Sequence, residues 1–154
     1  MIMEYIDGGV TAAKGFMAAS AAAGIKYADR DDMALIYSIV PCRAAGTFTS
    51  NIVKAAPVKW DSRIVTDSPY TQAIVVNSGI ANACTGEDGM DACRKTSEEA
   101  AKMLHIPADA VCVASTGVIG MQIDIDKIKK GIGLLVPELG DSREHAHKAA
   151  RAIM

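Results

Sequence analysis

Apolar positions recur along this chain with two different periods, and the alternation between them predicts a succession of strands and helices. Met33-Ala34-Leu35-Ile36-Tyr37-Ser38 is an apolar run of strand length, broken by Pro41-Cys42-Arg43, after which Gly46-Thr47-Phe48-Thr49-Ser50 alternates again. A hairpin over residues 33 to 50 follows from that pattern. Ala73-Ile74-Val75-Val76-Asn77 and Val111-Cys112-Val113-Ala114-Ser115 read as two further strands, each running straight into a loop of small residues. The alanine-rich run that follows Gly15-Phe16 fits helix and strand equally well.

Helical spacing appears in four places. Ala55-Ala56-Pro57-Val58-Lys59-Trp60 suits a short helix with proline in its first turn, ending before the polar Asp61-Ser62-Arg63, and Trp60 reads as a packing residue. A longer helix opens near Thr85 to Asp88, turns Met90, Cys93, Ala100, Ala101 and Leu104 mostly to one side, and stops before Pro107, with Glu98 and Lys102 as an i,i+4 pair. Asp124 is placed to cap a helix from Ile125 to Val136, whose stripe is Ile125, Ile128, Ile132 and Leu135. Ser142 is placed to cap a last helix with Ala146, Ala149, Ala150 and Ile153 inward and His145 and His147 on its wet side. That pattern is still running at Met154, an unusual point for a domain to stop.

Composition narrows the picture. With 154 residues and 50% hydrophobic content the chain suits a single domain with its own core. Aromatics are only 5%, so packing has to rely on close backbone approach between small residues. A net charge of −2, with no basic cluster longer than Lys129-Lys130, argues against nucleic acid or an anionic membrane as partner. No basic leader precedes an apolar core at the start, and no apolar run approaches spanning length, so a cytoplasmic protein is expected. Cys42, Cys84, Cys93 and Cys112 lack metal-ligand spacing, and reduced, structural thiols without a metal are expected.

The candidate chemistry lies where the fourth strand ends, at Ser115-Thr116-Gly117-Val118-Ile119-Gly120. Thr116 offers a hydroxyl and a backbone N–H, and Gly117 an N–H that no Cβ shields. Adjacent donors of this kind suit an oxyanion hole, in which fixed dipoles meet the charge that develops on a carbonyl oxygen under attack. The same donors could hold a small anion. Ser78-Gly79-Ile80-Ala81-Asn82-Ala83-Cys84-Thr85-Gly86 forms a second small, polar loop that could line a cleft, while Lys14 beside Gly15 reads as a solvated turn residue rather than an active-site cation.

Five blocks in order resemble the ornithine acetyltransferase family of arginine biosynthesis: Gly9 to Phe16, Ala44 to Asn51, Val53 to Val58, Ala73 to Gly86 and Ala114 to Gly120. The resemblance implies an α+β fold, two mixed sheets packed face to face with helices outside, an α/β/β/α layering of which this chain supplies part. It implies transfer of an acetyl group from N-acetylornithine to glutamate through an acetyl-enzyme on a threonine, with acetyl-CoA a second donor in some members and no cofactor. In that family the precursor cleaves itself at an Ala-Thr bond, and the freed threonine is the nucleophile of a second chain, its own amine serving as base. Thr116 and Gly117 match the family's oxyanion loop, through hydroxyl or backbone N–H. Nucleophile and substrate-binding residues are expected beyond Met154, so residues 1–154 read as the N-terminal part of a longer, self-cleaving enzyme, inactive alone and assembled with the second chain into a hetero-oligomer. The alternative is a stand-alone, non-catalytic domain. Three departures stand out: Ile80 where the family has a polar residue, Ala13 in place of proline, and Cys42-Arg43 in place of small residues.

Overall fold

The computed structural model describes Met3 and residues 5–154, which form an α+β unit around one mixed four-stranded sheet. Strands β1 (Phe16–Ala21), β2 (Met33–Cys42), β3 (Thr71–Asn77) and β4 (Val111–Ser115) lie side by side in chain order. The first three pair antiparallel, and β4 runs parallel to β3. A parallel neighbour needs a crossover, which α2 (Gly86–Leu104) provides. The remaining helices are α1 (Ala56–Asp67), α3 (Ile125–Leu135) and α4 (Arg143–Ala152).

The open reading of the alanine-rich run resolves as strand β1, which forms the hairpin with β2. Asp32 builds the connection between them. Fully buried, its carboxylate accepts from the N–H groups of Ala23 at 2.7 Å and Ile25 at 2.5 Å. Its own N–H donates to Ala21 O and its carbonyl accepts from Ser78 N–H. The hairpin expected over residues 33 to 50 does not form. β1 and β3 take both sides of Met33 to Tyr37, so residues 46–50 find no open edge there and run as exposed, irregular chain. Pro41 lies inside β2 rather than breaking it, within the irregular register to β3 between Tyr37 and Cys42.

Small side chains let the layers approach closely. On one face Ala19, Ala21, Met33, Leu35, Ala73, Val75 and Val111 pack with Ala100 and Ala101 of α2 and with Ile128, Ile132 and Leu135 of α3. On the other, Ala18 and Ala34 meet Ala149 and Ala152 of α4. Alanine against alanine brings a helix down onto the sheet with little side chain between, as the composition requires.

The caps at Asp124 and Ser142 form as the sequence predicts: Asp124 accepts from the N–H groups of Asp126 and Lys127, and Ser142 from His145. Within α4, however, Ala150 and Ile153 are exposed and Ala152 is buried. On α2, Glu98 pairs with Arg94 at 2.7 Å, not with Lys102, whose nearest carboxylate is Glu99 at 3.9 Å. The inward side of α2 also holds Gly89, Ala92, Thr96 and Ser97, small or polar residues that an apolar count passes over.

Helix α1 does not end before Asp61 but runs on through it to Asp67. Ile64, one turn beyond Trp60, is buried beside it. Asp61 faces the outer side of β4, its carboxylate accepting from Val113 N–H at 2.9 Å, while the Trp60 indole donates to Val111 O at 3.2 Å. Two side chains of one helix thus stand where a fifth strand would bond. Among the described residues no helix is long and apolar enough to cross a membrane.

Candidate functional site

The loops that leave β3 and β4 are fastened to each other. Beyond the paired strands, Ile80 and Val118 continue the parallel ladder as an isolated bridge. Val118 N–H donates to Gly79 O at 3.0 Å, Ala81 N–H to Val118 O at 2.9 Å and Gly120 N–H to Ala83 O at 2.9 Å. Asn77, buried at the root of both loops, donates from Nδ2 to Ile80 O at 2.9 Å and accepts at Oδ1 from the Ser115 hydroxyl at 2.7 Å.

Gly117 sits where the two backbones come closest. Its φ of +134° lies outside the range L-residues favour, and a Cβ there would overlap the Gly79 carbonyl and stand 2.6 Å from the Ile80 nitrogen. The sequence suggests a glycine that lets a ligand approach. The structure adds that only glycine lets the neighbouring loop approach.

This packing sorts the donors. The Thr116 N–H is taken by Asn77 O at 3.0 Å. The Thr116 hydroxyl and the Gly117 N–H meet no acceptor among the described residues, and both residues are exposed. They line an open cavity of about 270 Å³, together with Ser78 and Gly79 from the β3 loop. Residues of the β1–β2 connection, Lys26, Tyr27 and Arg30, line it as well, as do Val118, Ile153 and Met154. There the Lys26 ammonium lies 5.2 Å and the Arg30 guanidinium 4.6 Å from the centre of the Tyr27 ring.

The sequence singled out Thr116 and Gly117 as oxyanion donors, and the structure finds both lining this cavity; Lys26, Tyr27 and Arg30, which line it too, were not singled out. Their sequence carries no motif; only the folding of residues 22–32 beside the β3 loop brings them there. Ser78 has a structural task, donating its hydroxyl to Ala152 O at 2.7 Å. The departure at Ile80 has a physical account too: its side chain is buried in the core rather than aimed at the cavity. Lys14 lies exposed in a turn away from the cavity lining. His147 is exposed, and His145 is partly buried, its ring bonded to the Ser142 hydroxyl at 2.6 Å.

A separate group of titratable side chains surrounds Asp61. Burial pushes its carboxyl up to about 6, partly offset by the Val113 N–H. Burial, and then the Asp61 charge, push the Cys93 and Cys112 thiols up to about 12. These thiols are packing groups of the α1–α2–β4 cluster. Among the described residues no three His, Cys, Asp or Glu side chains are grouped to hold a metal ion.

A model of the ArgJ family matches residues 17–154. The chain is 48% identical over 151 residues to the arginine biosynthesis bifunctional protein ArgJ of Gloeobacter violaceus, covering 98% of this chain and 37% of that protein. The protein of the same name from Thermotoga neapolitana is 50% identical over 127 residues, covering 82% of this chain and 32% of its own. The solved ornithine acetyltransferase of Mycobacterium tuberculosis, complexed with ornithine, superposes with a TM-score of 0.91 at 42% identity, covering 96% of this chain and 79% of that one. ArgJ of Bacillus halodurans superposes with a TM-score of 0.89 at 41% identity, covering 95% and 75%. This chain thus spans well under half the length of the curated relatives it matches.

Proposed function

The chain belongs to the ArgJ family, and on that premise we propose that it is the N-terminal part of an ornithine acetyltransferase, contributing the oxyanion site for acetyl transfer from N-acetylornithine to glutamate. The observation that carries this reading is the pair of unclaimed donors, the Thr116 hydroxyl and the Gly117 N–H, at the rim of an open cavity. Because Asn77 occupies the Thr116 N–H, Thr116 acts through its hydroxyl.

In this reading the nucleophile is a threonine hydroxyl carried beyond residue 154, its own α-amine taking the proton. It attacks the acetyl carbonyl of N-acetylornithine. Negative charge develops on the carbonyl oxygen, which accepts from Thr116 Oγ and Gly117 N while ornithine leaves with the transferred proton. The glutamate amine then attacks the acetyl-threonine, and the same donors hold the second oxyanion. Acetyl-CoA is an alternative acetyl donor, and no cofactor takes part. The donors are held by the sheet through Asn77 and the β3 loop, so they need no rearrangement as the charge forms.

The nucleophile's place on a second chain of the same precursor is also part of the proposal. Full-length Gloeobacter ArgJ is matched over 37% of its length and the solved Bacillus chain over 75% of its own, so the solved chain is the shorter of the two, which supports a divided precursor. A hetero-oligomer is the assembly this reading implies, and its proposed location is the cytoplasm. The test uses the full-length protein. Thr116→Val should lower kcat by ~10²–10³ with little change in KM, and Thr116→Ser should retain most of the activity. An unchanged kcat in Thr116→Val rejects the oxyanion role, and acetyl transfer by residues 1–154 alone rejects the placement of the nucleophile.

A further inference from the structure

We propose that the buried side chain of Asn77 is the positioning residue of the oxyanion pair, holding the Thr116 hydroxyl and the Gly117 N–H at the spacing that acyl transfer requires; this rests on the acetyl-transfer reading of that site.

Three observations carry it. First, both donors fall where the pairing of β3 with β4 lapses. Regular pairing ends at Asn77 with Ser115 and resumes only as the bridge of Ile80 with Val118, leaving Ser78 and Gly79 on one side and Thr116 and Gly117 on the other. The Asn77 side chain spans that interval. At its near end Oδ1 accepts from the Ser115 hydroxyl at 2.7 Å, and at its far end Nδ2 donates to Ile80 O at 2.9 Å, while the backbone carbonyl of the same residue takes the Thr116 N–H.

Second, this bridge has only one sense. The Ile80 carbonyl can only accept, so the amide N–H faces it, and Oδ1 is left for the proton of Ser115. Asn77 is 3% exposed, so water cannot replace either bond. An aspartate of the same shape would set oxygen against the Ile80 carbonyl, and an apolar side chain would leave both partners unmet.

Third, the β3 loop is itself a fixed reference. Ser78 N–H donates to Asp32 O at 2.8 Å and the Ser78 hydroxyl to Ala152 O at 2.7 Å, so the β1–β2 connection and α4 both hold this loop where it meets the loop of β4. Through Asn77 that reference is passed to Ser115 and Thr116.

The consequence is kinetic. Oxyanion donors are effective only when they are already aimed as the charge forms, and a displacement of about 1 Å costs ~10²-fold in rate. Asn77 acts through Thr116 and Gly117, so its loss falls on kcat, and it falls there only while those donors are present.

The experiment compares full-length wild type, Asn77→Ala, Ser115→Ala, Thr116→Val and the double variant Asn77→Ala with Thr116→Val. Values of kcat and KM for N-acetylornithine and glutamate are taken at a temperature where thermal melts show each protein folded. Asn77→Ala is expected to lower kcat about 10- to 100-fold, with KM within about twofold. In the Thr116→Val background the same substitution should cost about threefold or less, the remainder acting through Gly117. A merely structural role would lower the melt and multiply equally through both backgrounds. Ser115→Ala deletes one partly buried hydroxyl and carries the test if Asn77→Ala does not fold; its kcat should fall about 3- to 10-fold, as for a neutral hydrogen bond. An unchanged kcat in Asn77→Ala or Ser115→Ala, a loss confined to KM, or equal factors with and without the Thr116 hydroxyl overturns the assignment. If Thr116→Val keeps the wild-type kcat, the oxyanion reading fails and this inference with it. If Thr116→Val is slow while Asn77→Ala and Ser115→Ala match wild type, only the positioning role fails.

Discussion

Asp61 makes a measurable link between the edge of the sheet and pH. Its carboxyl is raised from 3.8 to about 6 because burial beside β4 outweighs the bond from Val113 N–H. The folded chain therefore holds this proton more tightly than the unfolded chain does. The contribution of Asp61 to stability is greatest below about pH 4, falls as pH climbs toward 6 and levels above it. At about 1.4 kcal/mol per pH unit the full displacement corresponds to ~3 kcal/mol, and because the group remains partly open to water, screening reduces the expected effect to about 1–2 kcal/mol. Asp61→Asn removes the charge and leaves an amide oxygen able to accept from Val113. The assay is urea denaturation at several pH values between 3.5 and 8, followed by fluorescence of Trp60, the one tryptophan of the sequence and the neighbour of the substituted residue. Asp91 and Glu144, both lowered by nearby lysines or arginines, titrate in both proteins and cancel in the difference. The stability of Asp61→Asn relative to wild type should rise by about 1–2 kcal/mol between pH 4 and pH 7. Parallel profiles across that interval would refute the claim that Asp61 titrates in a partly dry site.

Two further outcomes follow from the packing. Gly117→Ala should lose about 3 kcal/mol or more of stability, since it combines a disfavoured φ with overlap on the Gly79 carbonyl; a thermal melt within a degree or two of wild type would show that the loops can separate freely. Alkylation at pH 8 under native conditions should modify exposed Cys84 first and leave Cys93 and Cys112, whose thiols are pushed up to about 12, untouched until the chain unfolds; peptide mass mapping showing early modification of Cys93 or Cys112 would contradict their burial.

Features set by a few neighbouring residues were the most legible in the sequence. The Asp124 and Ser142 caps bond to N–H groups two or three residues away, so they follow from local chemistry. β3 and β4 follow from apolar, β-branched runs that only a buried strand explains. What failed depended on remote partners. Residues 46–50 alternate like a strand, yet a strand needs a free edge, and β2 had none to give. Asp61 looks like a helix stop because its partner, Val113, lies 52 residues away. The same division runs through the site: Thr116 and Gly117 form a contiguous motif, whereas Lys26, Tyr27 and Arg30 reach the cavity only through the tertiary path of the β1–β2 connection, which Asp32 holds.

The bonds that α1 makes to β4 have a counterpart across the sheet, where Ala18 of β1 exchanges bonds with Gly140 at 2.9 and 3.1 Å. Both outer strands thus have backbone groups claimed at their middle, so a foreign strand adding at either side must first displace a native bond. The sheet is closed to lateral growth, which guards it against the edge-to-edge association that leads to aggregation. Its broad surfaces are a different matter: Ile74 of β3 stays 38% exposed on the side that α4 only partly covers. Whatever layer this architecture takes on, it takes on by stacking.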